Sequence, residues 1–184
     1  MAQVPSNMLP LGTIAPKFNL LDTKSGEKLA LENIQGEKVT VVMFICNHCP
    51  FVIHVNETLV SLANDYANSG VKFVAISSND VLKYPQDGPD AMKNHAIKEK
   101  YPFPYLYDES QEVAKAYDAA CTPDFYVFNG DLKLTYRGQL DDSRPGNDIS
   151  LTGDDLRNAI DVVLENKKNT LRQKPSIGCN IKWK

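Results

Sequence analysis

The 184-residue chain has no apolar run of transmembrane length: its longest ends at Cys46, far short of the roughly 20 residues that span a bilayer as a helix. It has no excess of positive charge either. With 20 Lys and Arg against 23 Asp and Glu the net charge is −3, which removes the electrostatic case for nucleic acid or an anionic membrane as partner. The opening Met1-Ala-Gln-Val-Pro-Ser-Asn has neither the basic start nor the apolar core of a signal peptide, so the expected compartment is the cytosol. Structural disulfides are rare there, and a C-x-x-C in such a chain is catalytic or metal-binding. A second C-x-x-C and a paired-histidine spacing are missing, which argues against zinc. No Gly-rich phosphate loop or nucleotide fingerprint occurs, and no cofactor is expected. Internal repeats and low-complexity segments are also lacking.

What is present is organised around Val39 to Val52, V-T-V-V-M-F-I-C-N-H-C-P-F-V. The β-branched run Val39 to Ile45 reads as a strand buried on both faces, as in a mostly parallel sheet. After Cys49, the apolar positions Val52, Val55, Leu59, Leu62, Ala63 and Tyr66 recur at helical spacing, and Asn68-Ser69-Gly70 offers a stop. Val71 to Ser77 is a second buried-strand pattern, so a right-handed strand–helix–strand crossover is expected. Before this unit lie two short strand patterns, Ala15 to Asp22 and Leu29 to Leu31, about a turn at Ser25-Gly26-Glu27. After it come a polar loop from Asn79 to Asp90, a helix over 91–100, a strand at Tyr105 to Tyr107, and a helix capped by Ser110. Asp124 to Phe128 and Leu132 to Arg137 flank Asn129-Gly130, a strong hairpin signal. A helix over 151–165 with Thr152 as cap closes the pattern. The result is an α/β sandwich with a central mixed sheet, in which residues 1–12 form an N-terminal arm, 13–168 the domain and 169–184 a tail. Ile181 and Trp183 are expected to pack that tail onto the domain.

Cys46 and Cys49 stand at the strand-to-helix junction, where unpaired helix N–H groups and the helix dipole favour thiolate over thiol. They read as a redox pair, one sulfur attacking a disulfide and the other resolving the mixed disulfide. The alternatives are a half zinc site and two inert core cysteines. Pro50 suits an early helix position. His54 and His95 read as surface or packing residues, and Arg137 as a surface arginine of the hairpin.

The motifs C-N-H-C-P-F-V, S-N-D-V-L-K-Y-P-Q-D, Y-L-Y-D-E-S-Q-E-V-A-K-A-Y, C-T-P-D-F-Y-V-F, Y-R-G-Q-L-D-D-S-R-P-G and G-C-N-I-K-W run over nearly the whole chain. With the N-terminal G-T-I-A-P-K-F-N-L they resemble the redoxin branch of the thioredoxin superfamily, the alkyl-hydroperoxide-reductase/thiol-specific-antioxidant group, and within it the peroxiredoxin-like thioredoxin-family proteins. The resemblance implies a three-layer thioredoxin-like α/β/α sandwich with an N-terminal β extension. It implies thiol–disulfide oxidoreductase activity on a protein or low-molecular-weight thiol partner, with a hydroperoxide-reducing peroxidase or a redox-sensing binding module as alternatives. It places a cis-proline at Pro123, so that Thr122 and Pro123 form the wall facing Cys46 and Cys49. Cys121, two residues earlier, becomes a candidate third thiol. His48, between the cysteines as in a strongly oxidising disulfide-forming family, is expected to stabilise the thiolate. Ordinary thioredoxin-like sites favour Cys46 as the exposed attacker and Cys49 as resolver, and the peroxiredoxin register favours Cys49; the expectation is Cys46 as attacker and Cys49 as resolver. In the peroxiredoxin register Val42 replaces the usual proline, Cys46 the threonine and Thr122 the arginine of a peroxide site, with Arg137 as an alternative source of that arginine. The strand before the dithiol also lacks the buried acid of ordinary thioredoxins.

Overall fold

The computed structural model describes residues 3–170 and 172–184. In chain order the elements are β1 (Gln3–Pro5), β2 (Asn19–Asp22), β3 (Lys28–Ala30), α1 (Leu31–Ile34), β4 (Val39–Phe44), α2 (Pro50–Asp65) and β5 (Val71–Ser77). They continue with α3 (Pro89–Lys98), β6 (Tyr105–Tyr107), α4 (Glu112–Ala116), β7 (Cys121–Thr122), β8 (Asp124–Asn129), β9 (Leu134–Gly138), α5 (Asp154–Leu164) and β10 (Ile177–Asn180). A single 3₁₀ turn, Pro85–Asp87, precedes α3.

Seven strands form one mixed sheet in the order β3-β2-β6-β5-β4-β8-β9, with β4 at its interior. β4 pairs parallel to β5 and antiparallel to β8, and all six of its residues are buried. Alternation sends Val39, Val41 and Met43 to one face and Val42 and Phe44 to the other. The first face packs under residues of α2, α3 and α5, such as Leu59, Met92 and Ile160. The second is covered by Leu31 of α1, Ala114 of α4, Phe18 and Tyr117. This is the expected three-layer sandwich, with β2 and β3 as the N-terminal extension. No helix among the described residues is long and apolar enough to cross a membrane.

Both chain ends join a second, small sheet in the order β1-β10-β7. Within the 1–12 arm, Gln3–Pro5 is a strand paired with β10, and Ser6 is buried against Ser176; Met1 and Ala2 lie outside the described residues. The tail, of which Leu171 is not described, buries Cys179 and Ile181, whereas Trp183 remains 40% exposed, contrary to the expectation that it packs. Other departures are local. The hairpin at Asn129 is not a two-residue turn, because Asn129 Oδ1 accepts from the N–H of Asp131 and of Lys133 and Leu132 takes a positive φ. The N-cap of α5 is Gly153 rather than Thr152: the chain turns through φ +74° there, and both Thr152 and Gly153 N–H donate to Asp141.

Candidate active site

β4 ends at the sheet's interior edge, and the chain must leave it before α2 can begin. Cys46-Asn47-His48-Cys49 makes that exit, with Cys49 as the N-cap of α2 and Pro50 at its first position, where a missing N–H is harmless. The Thr122–Pro123 peptide is cis, and this short loop between β7 and β8 lies against both sulfurs. Cys46 Sγ is 3.4 Å from Thr122 Oγ1, and Cys49 Sγ is 3.2 Å from the Thr122 carbonyl oxygen. Thr122 therefore touches both sulfurs, through its side chain and its carbonyl. All four cysteines are free thiols.

The two sulfurs are electrostatically unequal. The neighbouring Cys49 sulfur, then desolvation, then the Asp87 carboxylate push the Cys46 pKa well above the ordinary thiol range. Cys49 is pulled down, chiefly by the hydrogen bond from Cys46, against desolvation, with Cys179 and the Val52 N–H adding donors. The Thr122 carbonyl works the other way, since it accepts from a thiol and opposes a thiolate. The net direction places the thiolate on Cys49, at the helix N-terminus.

Neither sulfur meets the expectation of an exposed attacker. Cys46 is 1% and Cys49 0% exposed. The segment after β5, which reads in the sequence only as a polar loop, brings Asp87 beside Cys46. Asp87, fully buried, accepts from the Asn47 N–H at 2.9 Å and from Asn79 Nδ2 at 2.8 Å. Asn47 Nδ2 donates to the Gln86 carbonyl, and the Tyr105 hydroxyl donates to Asn47 Oδ1. His48 is stacked on Tyr84, rings 5.4 Å apart and 7° from parallel. Its Nδ1 lies 2.7 Å from Asp87 Oδ2, close enough for an ion pair but without hydrogen-bond alignment. One atom each of Cys46, His48 and Asp87 fall within 4.8 Å of one another. His48 is thus built toward Asp87, Tyr84 and Cys46, not toward Cys49.

Asp87 is the functional residue that pattern reading missed. The 3₁₀ turn sets its carboxylate beside Cys46 and His48, with only the Pro85 of Y-P-Q-D as a local signal. Cys179 was also missed as part of the site, and its Sγ is 2.8 Å from Cys49 Sγ. Cys121 Sγ points toward the Pro123 carbonyl at 3.7 Å and feels Cys49 and Cys179 through their charge. Burial pushes its thiol far up, and the Asp124 carboxylate pushes it further. Arg137 is no surface residue. It is fully buried, paired with Asp124 at 3.0 Å and stacked over Tyr126, so its charge is committed away from the sulfurs. His54 meets Ser143 and His95 meets Asn56 and Tyr101, in packing roles.

The chain closely matches two solved bacterial structures. One, described as an uncharacterized conserved protein from Geobacillus kaustophilus, is 60% identical with a TM-score of 0.98, over 100% of this chain and 97% of that one. A hypothetical protein from Sinorhizobium meliloti 1021 is 46% identical with a TM-score of 0.95, over 98% of each chain. At 18% identity the thioredoxin domain of a Bacteroides vulgatus thiol-disulfide oxidoreductase shares the fold, with a TM-score of 0.65 over 84% of this chain and 97% of that domain. No curated protein matches. The family model described as AhpC/TSA matches residues 11–137.

Proposed function

Since the chain belongs to the AhpC/TSA family, we propose that it is a thiol–disulfide oxidoreductase whose working pair is Cys46 and Cys49. The observation that carries this reading is the asymmetry of that pair: a sulfur favoured as thiolate at the start of α2 and a second thiol favoured as protonated, both against the Thr122 residue of the cis Thr122–Pro123 loop. Cys49 thiolate attacks one sulfur of a substrate disulfide, and the other leaves as thiolate. Cys46 then loses its proton, with His48 and Asp87 within reach to receive it, and attacks Cys49. The substrate's second thiolate is released and the Cys46–Cys49 disulfide remains, so two electrons have passed to the substrate. The partner is a protein or small-molecule disulfide, and an external dithiol restores the enzyme. No cofactor enters the cycle.

The cover over the sulfurs selects what can enter. Both sulfurs are buried, so entry requires local opening, and an exposed, flexible substrate disulfide fits better than one held inside a folded domain. Insulin reduction in dithiothreitol tests the proposal: the native protein accelerates precipitation of the B chain, and Cys49→Ser does not. A native rate at the background level overturns it. Peroxide reduction is a second reading, favoured by one observation, that Cys49 occupies the N-cap as the peroxidatic register requires. The arginine such a site uses is not at hand, since Arg137 is held by Asp124. Stopped-flow peroxide consumption no faster than a free thiol's is the expected result.

A further inference from the structure

We propose that Cys179 is a second resolving thiol, so that Cys49 can close a disulfide with either Cys46 or Cys179. This rests on the reading of Cys49 as the exchanging sulfur and extends it to a thiol from the far end of the chain. The two sulfurs are 2.8 Å apart and 130 residues apart in sequence. They are not bonded, and both are free.

The contact is built into the fold by several independent features. β10 is the middle strand of the small sheet, held by β1 on one side and β7 on the other. In that register Cys179 stands opposite Thr122, the residue whose side chain and carbonyl meet Cys46 and Cys49. Gly178 permits the approach: a Cβ there would stand 2.0 Å from the Thr122 carbonyl oxygen and 2.6 Å from its carbon. Ser176 Oγ donates to the Pro123 carbonyl at 2.6 Å, pinning the start of the strand to the cis-proline loop. Cys179 itself is buried and its thiol is held in the protonated form, first by burial and then by its bond to Cys49. As the donor to Cys49, it helps hold the thiolate there.

Two steps follow. In the first, the Cys49 mixed disulfide with substrate is attacked at Cys49 Sγ by Cys179; the Cys49–Cys179 bond forms, the bond to substrate breaks, and the substrate thiolate leaves with the electron pair and takes up the Cys179 proton. In the second, Cys179 attacks Cys49 Sγ of the Cys46–Cys49 disulfide; the Cys49–Cys179 bond replaces it, and Cys46 departs as thiolate and regains a proton. The second step is an isomerisation with no net oxidation. It returns Cys46 to the thiol form beneath His48 and stores the oxidised state against the small sheet. An external dithiol, dithiothreitol in the assay, then reduces Cys49–Cys179.

The experiment uses Cys46→Ser, oxidised with one equivalent of diamide, quenched in acid, denatured, alkylated and mapped by mass spectrometry. The expected product is a monomer carrying a Cys49–Cys179 linked peptide. Insulin turnover persists in Cys46→Ser and is lost in Cys46→Ser/Cys179→Ser, which stalls as a mixed disulfide. Gly178→Ala on an otherwise native chain, oxidised in the same way, retains the Cys46–Cys49 disulfide and loses the Cys49–Cys179 one. Cys179 fully alkylated after oxidation of Cys46→Ser, in a protein whose native form turns over insulin through Cys49, overturns the second resolver and leaves the exchange reading standing. A native protein without Cys49-dependent turnover overturns both.

Discussion

Replacing Asp87 by Asn removes one negative charge from beside Cys46 while nearly preserving shape, and its consequence follows from distance. A carboxylate oxygen and Cys46 Sγ lie within 4.8 Å. Two unit charges at that separation repel by about 3.5 kcal/mol at an effective dielectric near 20, and by about 0.9 kcal/mol in water-like surroundings. Because the site is sealed, the larger figure is the better guide, and the ionisation equilibrium of Cys46 moves toward thiolate by about 5- to 400-fold. Coupling to Cys49 would blur this in the native protein, so the comparison is Cys49→Ser with and without Asp87→Asn. Cys121 and Cys179 are replaced by Ser in both proteins, so that Cys46 is the thiol left to titrate. The pH dependence of the rate at which iodoacetamide alkylates Cys46, followed to about pH 11, reports the thiolate. The midpoint falls in the Asp87→Asn variant. The Asn79 amide loses its acceptor, which costs about 1 kcal/mol of stability and is checked by thermal melting. A midpoint that stays put or rises shows that the Asp87 field does not reach the sulfur, and the assignment of Cys46 as the electrostatically suppressed thiol fails.

Four further outcomes are expected. In the native protein one thiolate titrates with a midpoint far below that of an ordinary thiol, near 5, and Cys49→Ser abolishes that step at 240 nm. Tyr84→Ala releases a ring stack worth about 0.5–1.5 kcal/mol, so maleimide labelling of the site speeds up about 2- to 12-fold; an unchanged rate means that another element gates entry. Arg137→Met orphans the buried Asp124 and lowers stability by about 3–5 kcal/mol in urea denaturation, whereas a surface arginine would cost almost nothing. Asp124 is raised to about 6, by burial first and against the pull of Arg137, so its protonated form favours the fold. That contribution is fully present below the ordinary carboxylate pKa and is lost as pH rises through about 6. Asp124→Asn therefore removes about 3 kcal/mol of pH-dependent stability between about pH 4 and 6, read from urea midpoints across that window.

How much of this was written in the sequence depends on the range over which each signal acts. β4 and α2 were legible because burial on both faces and a helical repeat of apolar residues are local patterns, and Cys46 and Cys49 came with them. Thr122 and Pro123 were reached only through family likeness, since nothing local shows that they meet residues about 75 positions earlier. Asp87 escaped because a buried acid in a polar loop has the composition of a solvated one; only its bonds to Asn47 and Asn79 reveal its place. Cys179 escaped for a related reason. β10 is four residues long and pairs with β1 and β7 at distances no periodicity encodes, although Gly178 beside it marked a close backbone approach. Arg137 was misread because a hairpin arginine is usually solvated, and the partner that buries it, Asp124, lies across the strand pair.

The sharpest test is to trap the first covalent intermediate with a small aromatic disulfide and to map its attachment site. With Cys49 as nucleophile, the Cys46→Ser/Cys179→Ser protein accumulates one adduct, on Cys49, and Cys49→Ser accumulates none. An adduct on Cys46 in Cys49→Ser, formed at the native rate, would place the reactive sulfur at the other end of the motif and contradict the account.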